Sequence, residues 1–323
     1  MKTFLKILAI FLLLLMVTFL AARHWLFSWD EISPPQLPGT IEHGALVHQG
    51  HERQWLSYVP ANNTGSPPLL LFFRGSGADG AMARSGTFYR FDELAEKYGF
   101  VVVYPTGYER HWNGCRKAGT YSANLLNIDD VGYVRSLVAE MVERYGVDPG
   151  RIYAAGMSNG GHMVYRLAFE APDLLAGAAA VMANLPAADN LDCQLSDVPV
   201  PMFMLTGTED AINPYEGGDV VVYGESRGAV QSALASARYW ATLAGYSDEG
   251  QLLVWPESNP DDGTAIESLS WQSAGKASVT LVTVRGGGHT FPHPTYSGPR
   301  ILGRSSHEVD AAELVWSFFS PDP

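Results

Sequence analysis

The pattern of hydrophobic and polar positions divides the chain into an apolar leader and a longer body. Residues 7–22 form an apolar run that only Thr18 interrupts, and Lys2 and Lys6 precede it. From residue 69 onward, short continuous apolar runs alternate with helical patterns, and Gly or Pro bounds each run. Continuous rather than alternating apolarity is typical of parallel strands that are covered on both faces.

The body is predicted to form a doubly wound, mostly parallel α/β sheet with helices on both faces. An antiparallel pair of strands is expected over residues 41–59, with its turn near Gln49. The buried parallel strands are expected at 69–73, 100–104, 152–155, 202–205 and 279–284. The helices are expected at 91–98, 129–145, 159–170, 229–244 and 308–319.

The leader has the pattern of a secretory signal peptide. Sixteen helical residues cover roughly 24 Å at about 1.5 Å each, less than the roughly 30 Å hydrocarbon core of a bilayer. We therefore predict a signal peptide at 1–22, a linker at 23–40 and one catalytic domain at 41–320. The alternative is an uncleaved anchor, because Trp25 and Trp29 suit a membrane interface. The protein is expected to be secreted or periplasmic, with membrane contact only if the leader is retained.

Composition narrows the possible partners. The 323 residues include 21 Lys and Arg and 34 Asp and Glu, for a net charge of −13, and 46% are hydrophobic. This balance is typical of a globular protein and argues against nucleic acid as a partner. The two cysteines, Cys115 and Cys193, allow a disulfide in an exported protein, and two buried free thiols are the alternative. No spacing completes a zinc site, so neither a metal nor another cofactor is predicted.

The strongest chemical signal is the sequence Gly-Met-Ser-Asn-Gly at residues 156–160, which matches G-x-S-x-G. It follows a predicted strand and opens a predicted helix, as a nucleophile elbow requires. Such an elbow exposes Ser158 at the carboxyl edge of the sheet, and the flanking glycines remove Cβ atoms from a tight turn. Residues 224–228 also match, but the long charged side chains of Glu225 and Arg227 suit a solvated loop. We therefore prefer Ser158 to Ser226 as the nucleophile.

A serine nucleophile needs a base and an orienting carboxylate, which follow in the order serine, acid, histidine in this kind of fold. Asp210 lies just after the fourth predicted parallel strand, and Glu209 and Asp219 are alternatives. His289 follows the last strong strand and three glycines. Since each candidate follows a separate strand in the required order, Ser158, Asp210 and His289 are predicted to form a catalytic triad.

An oxyanion hole is predicted from two backbone N–H groups. One belongs to Asn159, the residue after the serine. The other is expected in the glycine-rich loop after residues 69–73, with Ser76 preferred and Gly75 as the alternative. This loop lacks the Lys-Ser/Thr end of a phosphate-binding loop, so a nucleotide site is rejected.

These residues together resemble the exported polyhydroxybutyrate depolymerase/feruloyl esterase-like α/β-hydrolases, esterase family 1, which are allied to carbohydrate esterase family 1. The resemblance spans roughly residues 40–320 and implies Ser158 as nucleophile, Asp210 as orienting acid and His289 as base. It departs from the family at Arg74, where the family usually has histidine. The motifs that carry it lie at 129–133, 145–149, 156–161, 207–210, 213–215 and 287–292.

The resemblance also implies a substrate pocket and a substrate class. Trp112 and Asn113 resemble a family segment near the site. The alternative for these two residues is packing beside a disulfide of Cys115. Tyr215 belongs to the acid loop. The expected activity is hydrolysis of feruloyl or acetyl esters of polysaccharide, or of a short polyhydroxyalkanoate, so the partner is a small or oligomeric ester. The alternatives are a serine peptidase on the same fold and a non-catalytic, membrane-tethered binding protein.

Overall fold

The computed structural model describes residues 2–30, 32–63, 65–222 and 224–320. Its main sheet has ten strands in the order β1-β2-β4-β3-β5-β6-β7-β12-β11-β10, and β8 pairs with β9 in a separate hairpin. The strands are β1 Thr40–His48, β2 His51–Val59, β3 Leu69–Phe73, β4 Val101–Pro105, β5 Ile152–Met157, β6 Gly177–Val181, β7 Met202–Gly207, β8 Gly218–Val222, β9 Glu225–Val230, β10 Gln251–Val254, β11 Ala265–Trp271 and β12 Val279–Arg285. The helices are α1 Lys2–Phe27, α2 Gly80–Gly86, α3 Arg90–Tyr98, α4 Ser122–Leu125, α5 Asp130–Tyr145, α6 Asn159–Glu170, α7 Ala233–Leu243 and α8 Ala311–Phe319.

The predicted fold class is confirmed by the sheet. Six neighbouring strands from β4 to β12 run parallel, and antiparallel strands close both edges. All five residues of β3, Leu69–Phe73, are fully buried because helices cover both faces of the sheet. Two hydrophobic clusters, one on each side, form the core. The carboxyl ends of the parallel strands therefore meet at one edge, where the candidate site lies.

Local signals set the helix boundaries near that edge. The Asp129 carboxylate accepts a hydrogen bond from the Gly132 N–H and caps α5, and Gly146 ends the helix in a left-handed conformation. The predicted helix at 229–244 begins only at Ala233, because the preceding residues pair in the β8–β9 hairpin. The helix predicted at 308–319 begins at Ala311, after the Asp310 side chain caps its first turn.

The N-terminal helix is longer than the apolar run. It continues to Phe27, so the predicted linker at 23–40 begins within the helix. Phe4–Phe27, 24 residues, is the one helix in the described ranges that is long and apolar enough to cross a membrane, judged by length and composition. The last turn of this helix and the residues after it touch the body, since Arg300 lies over Trp25 and the Ser297 N–H donates to Asp30 Oδ2 at 2.7 Å.

Cys115 and Cys193 form a disulfide whose Cα atoms are 5.1 Å apart. It joins the loop after β4 to the loop after β6. Arg116, next to the first cysteine, pairs with Leu191 through an isolated β-bridge. The disulfide and the bridge together hold two long loops against each other beside the candidate site.

Candidate active site

Ser158 occupies a sharp turn between β5 and α6. Its φ of 58° and ψ of −121° are unusual for a residue other than glycine, as expected for a strained elbow. A Cβ on Gly160 would lie 1.9 Å from the Phe73 carbonyl oxygen, and one on Gly156 would lie 2.4 Å from the Gly160 carbonyl oxygen. Only glycine fits at these two positions, so the flanking glycines allow the elbow to form.

The Ser158 hydroxyl stands at the amino end of α6 and is partly exposed. Its main chain is fixed, because the Ser158 N–H donates to the Val181 carbonyl oxygen at 2.9 Å. Its side-chain oxygen makes no hydrogen bond to any described residue. The partial positive charge of the helix end favours negative charge developing near this hydroxyl.

Asp210 and His289 form a buried hydrogen-bonded pair. Asp210 Oδ2 lies 2.7 Å from His289 Nδ1, and the two residues are only 6% and 5% exposed. Asp210 Oδ1 accepts the N–H groups of Ile212 and Asn213, each at 2.8 Å. The carboxylate is therefore oriented by backbone amides. It orients the imidazole in turn, so that Nε2 is the ring nitrogen available for proton transfer.

Glycines bring the acid loop and the histidine loop into contact. A Cβ on Gly207 would lie 2.3 Å from the Gly287 carbonyl oxygen, and one on Gly288 would lie 2.2 Å from the Leu302 carbonyl oxygen. The His289 N–H donates to that Leu302 oxygen at 2.6 Å. The glycines before His289 thus permit close backbone packing that side chains would prevent.

The structure brings two members of the predicted triad together and places the third at the same edge of the sheet. β5 and β7 flank β6, and β12 is next to β7, so all three loops leave one edge. No hydrogen bond joins the Ser158 hydroxyl to His289 among the described residues, so that contact remains a prediction.

The predicted oxyanion loop packs directly against the serine. A Cβ on Gly75 would lie 3.1 Å from Ser158 Cβ and 3.5 Å from its Oγ. Ser76, the preferred donor, is exposed. Arg74 turns away, with its guanidinium against Met157 Sδ, and burial lowers the pKa of Arg74 to about 10. The loop therefore presents its backbone to the serine, whichever N–H donates.

Trp112 and Asn113 are buried beside the elbow, and their role as pocket residues stays a prediction. Both are 2% exposed. The Trp112 indole N–H donates to the Arg74 carbonyl oxygen, and its backbone exchanges two hydrogen bonds with the Asn159 side chain at 2.8 and 3.0 Å. The Asn113 N–H donates to Asp130 Oδ2. Hence these residues position the oxyanion loop and the elbow from below.

Two further candidates, Tyr215 and Ser226, lie on other parts of the chain. Tyr215 is half-buried, and its hydroxyl lies 3.1 Å from Thr283 Oγ1 on β12, so its place in a pocket stays a prediction. Ser226 lies within β9 of the hairpin, and its hydroxyl accepts the Gly228 N–H. It follows no parallel strand and opens no helix, in agreement with the preference for Ser158.

Sequence reasoning missed two buried side chains beside the elbow. His162 Nδ1 lies 3.0 Å from the Ser158 carbonyl oxygen, and burial followed by the charge of Arg116 holds the pKa of His162 well below its ordinary value. Tyr121 receives a hydrogen bond from Asn159 Nδ2 at 3.1 Å. Helical spacing from Ser158 was a signal for His162, whereas Tyr121 and Arg116 lie on a loop whose path no pattern indicates. Within the ranges described, no group of three or more acidic, histidine or cysteine side chains is arranged to hold a metal ion.

The sheet order and the elbow define an α/β-hydrolase. The fold is shared with the solved acetyl xylan esterase from Aspergillus awamori at a TM-score of 0.56 and 17% sequence identity, over 78% of this chain and 95% of that one. The chain is 27% identical over 275 residues to the protein named "Putative esterase NocK" of Nocardia uniformis subsp. tsuyamanensis, over 80% of this chain and 76% of that protein. It is 31% identical over 164 residues to feruloyl esterase B of Piromyces equi, over 50% of this chain.

Residues 55–187 match the model of the Esterase PHB depolymerase family. This match agrees with the resemblance found in the sequence, and with the related esterases it makes the chain a carboxylic ester hydrolase. The matched region includes Ser158 and ends before Asp210 and His289. The alignment with feruloyl esterase B spans only 29% of that protein's length.

Proposed function

We propose that this protein is an exported serine esterase in which Ser158, His289 and Asp210 hydrolyse carboxylic esters through an acyl-enzyme. The observation that carries the proposal is the buried Asp210–His289 pair at 2.7 Å, at the same sheet edge as a serine on a strained elbow. A carboxylate that holds Nδ1–H leaves Nε2 unprotonated, and an unprotonated Nε2 is what a general base requires.

In the acylation step, Ser158 Oγ attacks the ester carbonyl carbon while His289 Nε2 accepts the hydroxyl proton. The carbonyl electron pair moves to oxygen, where the Asn159 N–H and an N–H of the loop at Gly75 or Ser76 stabilise the oxyanion. The intermediate collapses, the carbon–oxygen bond to the alcohol breaks, and His289 gives its proton to that alcohol. Asp210 stabilises the imidazolium throughout.

In the deacylation step, a water molecule replaces the alcohol. His289 accepts a proton from the water as its oxygen attacks the acyl carbon, and the second intermediate expels Ser158, which recovers the proton. The products are a carboxylic acid and the free enzyme. Every proton taken up by His289 is returned, so the cycle uses only the ester and water.

The substrate class follows from the family and its relatives. The related proteins include a feruloyl esterase and an acetyl xylan esterase, and the family description names PHB depolymerase. We propose acetyl or feruloyl esters of polysaccharide, or short polyhydroxyalkanoates, as substrates of this chain. A small or oligomeric ester suits a serine that is only partly exposed.

Replacement of Ser158 by alanine tests the nucleophile. Ser158→Ala is expected to fold normally and to lose nearly all hydrolysis of p-nitrophenyl acetate, whereas the matched variant Ser226→Ala keeps it. Wild-type turnover by Ser158→Ala would exclude this serine as the nucleophile. A matched anilide, turned over far more slowly than the ester, would distinguish an esterase from a peptidase.

Export is proposed from the apolar N-terminal helix and the lysines before it. Fractionation of cells that express the full chain is expected to place the enzyme outside the cytoplasm. The mass of the purified protein then reports whether the leader is removed. Recovery of the full-length protein in the cytoplasm would contradict export.

A further inference from the structure

A pair of arginines beside the elbow has no part in the mechanism above. The guanidinium carbons of Arg116 and Arg227 lie 5.9 and 5.8 Å from the ring centre of Tyr121. We call these three residues the arginine cluster. Arg116 is 3% exposed and Tyr121 is 7% exposed, while the Arg227 side chain keeps 13% of its surface accessible. The cluster is therefore buried and open to solvent mainly at Arg227.

The cluster is held rigidly by the loops that carry it. The disulfide of Cys115 lies directly before Arg116, and Arg227 belongs to β9 of the hairpin. Asn190 links the two, because its carbonyl oxygen accepts the Lys117 N–H and its Nδ2 donates to the Arg227 carbonyl oxygen at 3.1 Å. The two loops that carry the arginines are thus joined to each other before any ligand binds.

The cluster contains more hydrogen-bond donors than acceptors. Arg116 Nη2 donates to the Tyr121 hydroxyl at 3.3 Å, but the buried Nε of Arg116 and the buried Nη1 of Arg227 have no hydrogen-bond partner within the described ranges. Arg227 Nη2 contacts Glu225 Oε2 at 2.9 Å, and that carboxylate is 64% exposed. Among the residues that the structure describes, no carboxylate pairs with Arg116.

A buried guanidinium without a counter-ion is costly, because desolvation of the charge is not compensated by hydrogen bonds. Native proteins leave few buried donors unpaired, so a cluster of them indicates a missing acceptor. The planar guanidinium can hold the two oxygens of a carboxylate with two parallel hydrogen bonds. Burial first, and then the charge of Arg116, lower the pKa of His162, which lies four residues after Ser158.

The cluster is connected to the reacting end of the site. Asn159 Nδ2 donates to the Tyr121 hydroxyl that also receives Arg116 Nη2. Asn159 directly follows Ser158 and is the proposed oxyanion donor. Through Tyr121 and Asn159, hydrogen bonds therefore join the cluster to the residue that follows the proposed nucleophile.

We propose that Arg116 and Arg227 bind a carboxylate of the substrate, so that the enzyme prefers esters that carry a carboxylate near the scissile bond. This inference rests on the proposed esterase function and narrows its substrate class. A polyhydroxyalkanoate oligomer with a free carboxylate end and a polysaccharide ester beside an acidic sugar both present this chemistry. In both of these the carboxylate lies on the alcohol side of the scissile ester.

Two pairs of esters test the inference, each with a charged and a neutral member. For a carboxylate on the acyl side, the pair is monoethyl glutarate and ethyl pentanoate. For a carboxylate on the alcohol side, the pair is p-acetoxybenzoate and its methyl ester. The quantity measured is the ratio of kcat/KM for the charged ester to kcat/KM for the neutral ester. This ratio cancels changes that affect both esters equally.

In one of the two pairs, Arg116→Gln is expected to lower the ratio roughly 10- to 100-fold, because charge-assisted hydrogen bonds are lost. Arg227→Gln is expected to lower it about tenfold, since this arginine is more solvated. The matched control Arg135→Gln removes an exposed arginine that pairs with Asp173, and its ratio should equal that of the wild type. If Arg116→Gln does not fold, the ratio measured for Arg227→Gln decides the test.

Ratios that stay within twofold of the wild type in both pairs, for the arginine-cluster variants that fold, would overturn the carboxylate site. That result would leave the proposed function intact, provided that the wild type hydrolyses the neutral esters. Absence of hydrolysis of all four esters, together with p-nitrophenyl acetate, would instead refute the proposed function. The two failures are therefore distinguishable in one set of assays.

Discussion

Replacement of Gly75 by alanine tests how closely the proposed oxyanion loop packs on the nucleophile. The added methyl group would lie 3.1 Å from Ser158 Cβ, whereas carbon atoms prefer about 3.5–4.0 Å. The two residues must separate by about 0.4–0.9 Å, and the strained backbone of Ser158 leaves it little freedom to move. Since a misplacement of about 1 Å can cost about 100-fold, we expect kcat to fall about 10- to 100-fold.

The assay is hydrolysis of p-nitrophenyl acetate, with urea unfolding of the same samples. Gly75→Ala keeps its backbone N–H, so the expected loss reports the position of the serine and not the loss of a donor. Gly77→Ala is the matched control in the same loop: its φ is +80° and a Cβ there meets nothing within 4 Å. It should lose about 1 kcal/mol of stability and retain its kcat. Equal kcat values for wild type, Gly75→Ala and Gly77→Ala would refute the proposed packing at the serine.

Three further predictions concern the acid, a buried histidine and the disulfide. Asp210→Asn should fold but lower kcat by about 10³–10⁴, because the amide cannot hold the required imidazole tautomer; a change below tenfold would contradict this role. Below pH about 6.5 the unfolded chain protonates His162, while the folded chain keeps it neutral. The unfolding free energy should therefore fall by up to about 1.4 kcal/mol for each unit by which the pH is lowered. His162→Gln should flatten that slope in urea titrations, and an unchanged slope would count against the buried neutral imidazole. Replacing Cys115 and Cys193 by serine should lower the unfolding free energy by about 2–4 kcal/mol, and equal urea midpoints would contradict a stabilising disulfide.

The central strands were predictable from sequence because their apolar runs are long and rich in branched or aromatic residues. β3 and β12 are examples. β6 was missed because three of its five residues are alanine, which has little preference for strands. The edge strands β10 and β11 were missed as well, since β10 is fully exposed and carries no burial pattern. Strands were thus predictable where they are buried. The prediction failed where burial is low or the side chains are small.

The candidate site was predictable where chemistry and local turn geometry coincide. Ser158 needs glycines on both sides, and His289 needs them in front, so both leave a signal along the chain. The burial of Trp112 left no such signal, because the sequence does not indicate which face of a loop is buried. The arginine cluster was missed for the same reason, since Arg116 and Arg227 are 111 positions apart and meet only through tertiary contacts with Tyr121.

Covalent labelling with a fluorophosphonate tests the central claim most directly, because this reagent reacts with a serine that a nearby base activates. The intact mass should rise by a single adduct, and peptide mapping should place it on Ser158. The adduct should be absent from Ser158→Ala and should form much more slowly in Asp210→Asn. A folded protein that acquires no adduct, or acquires it on Ser226 or another residue, would contradict the proposed triad.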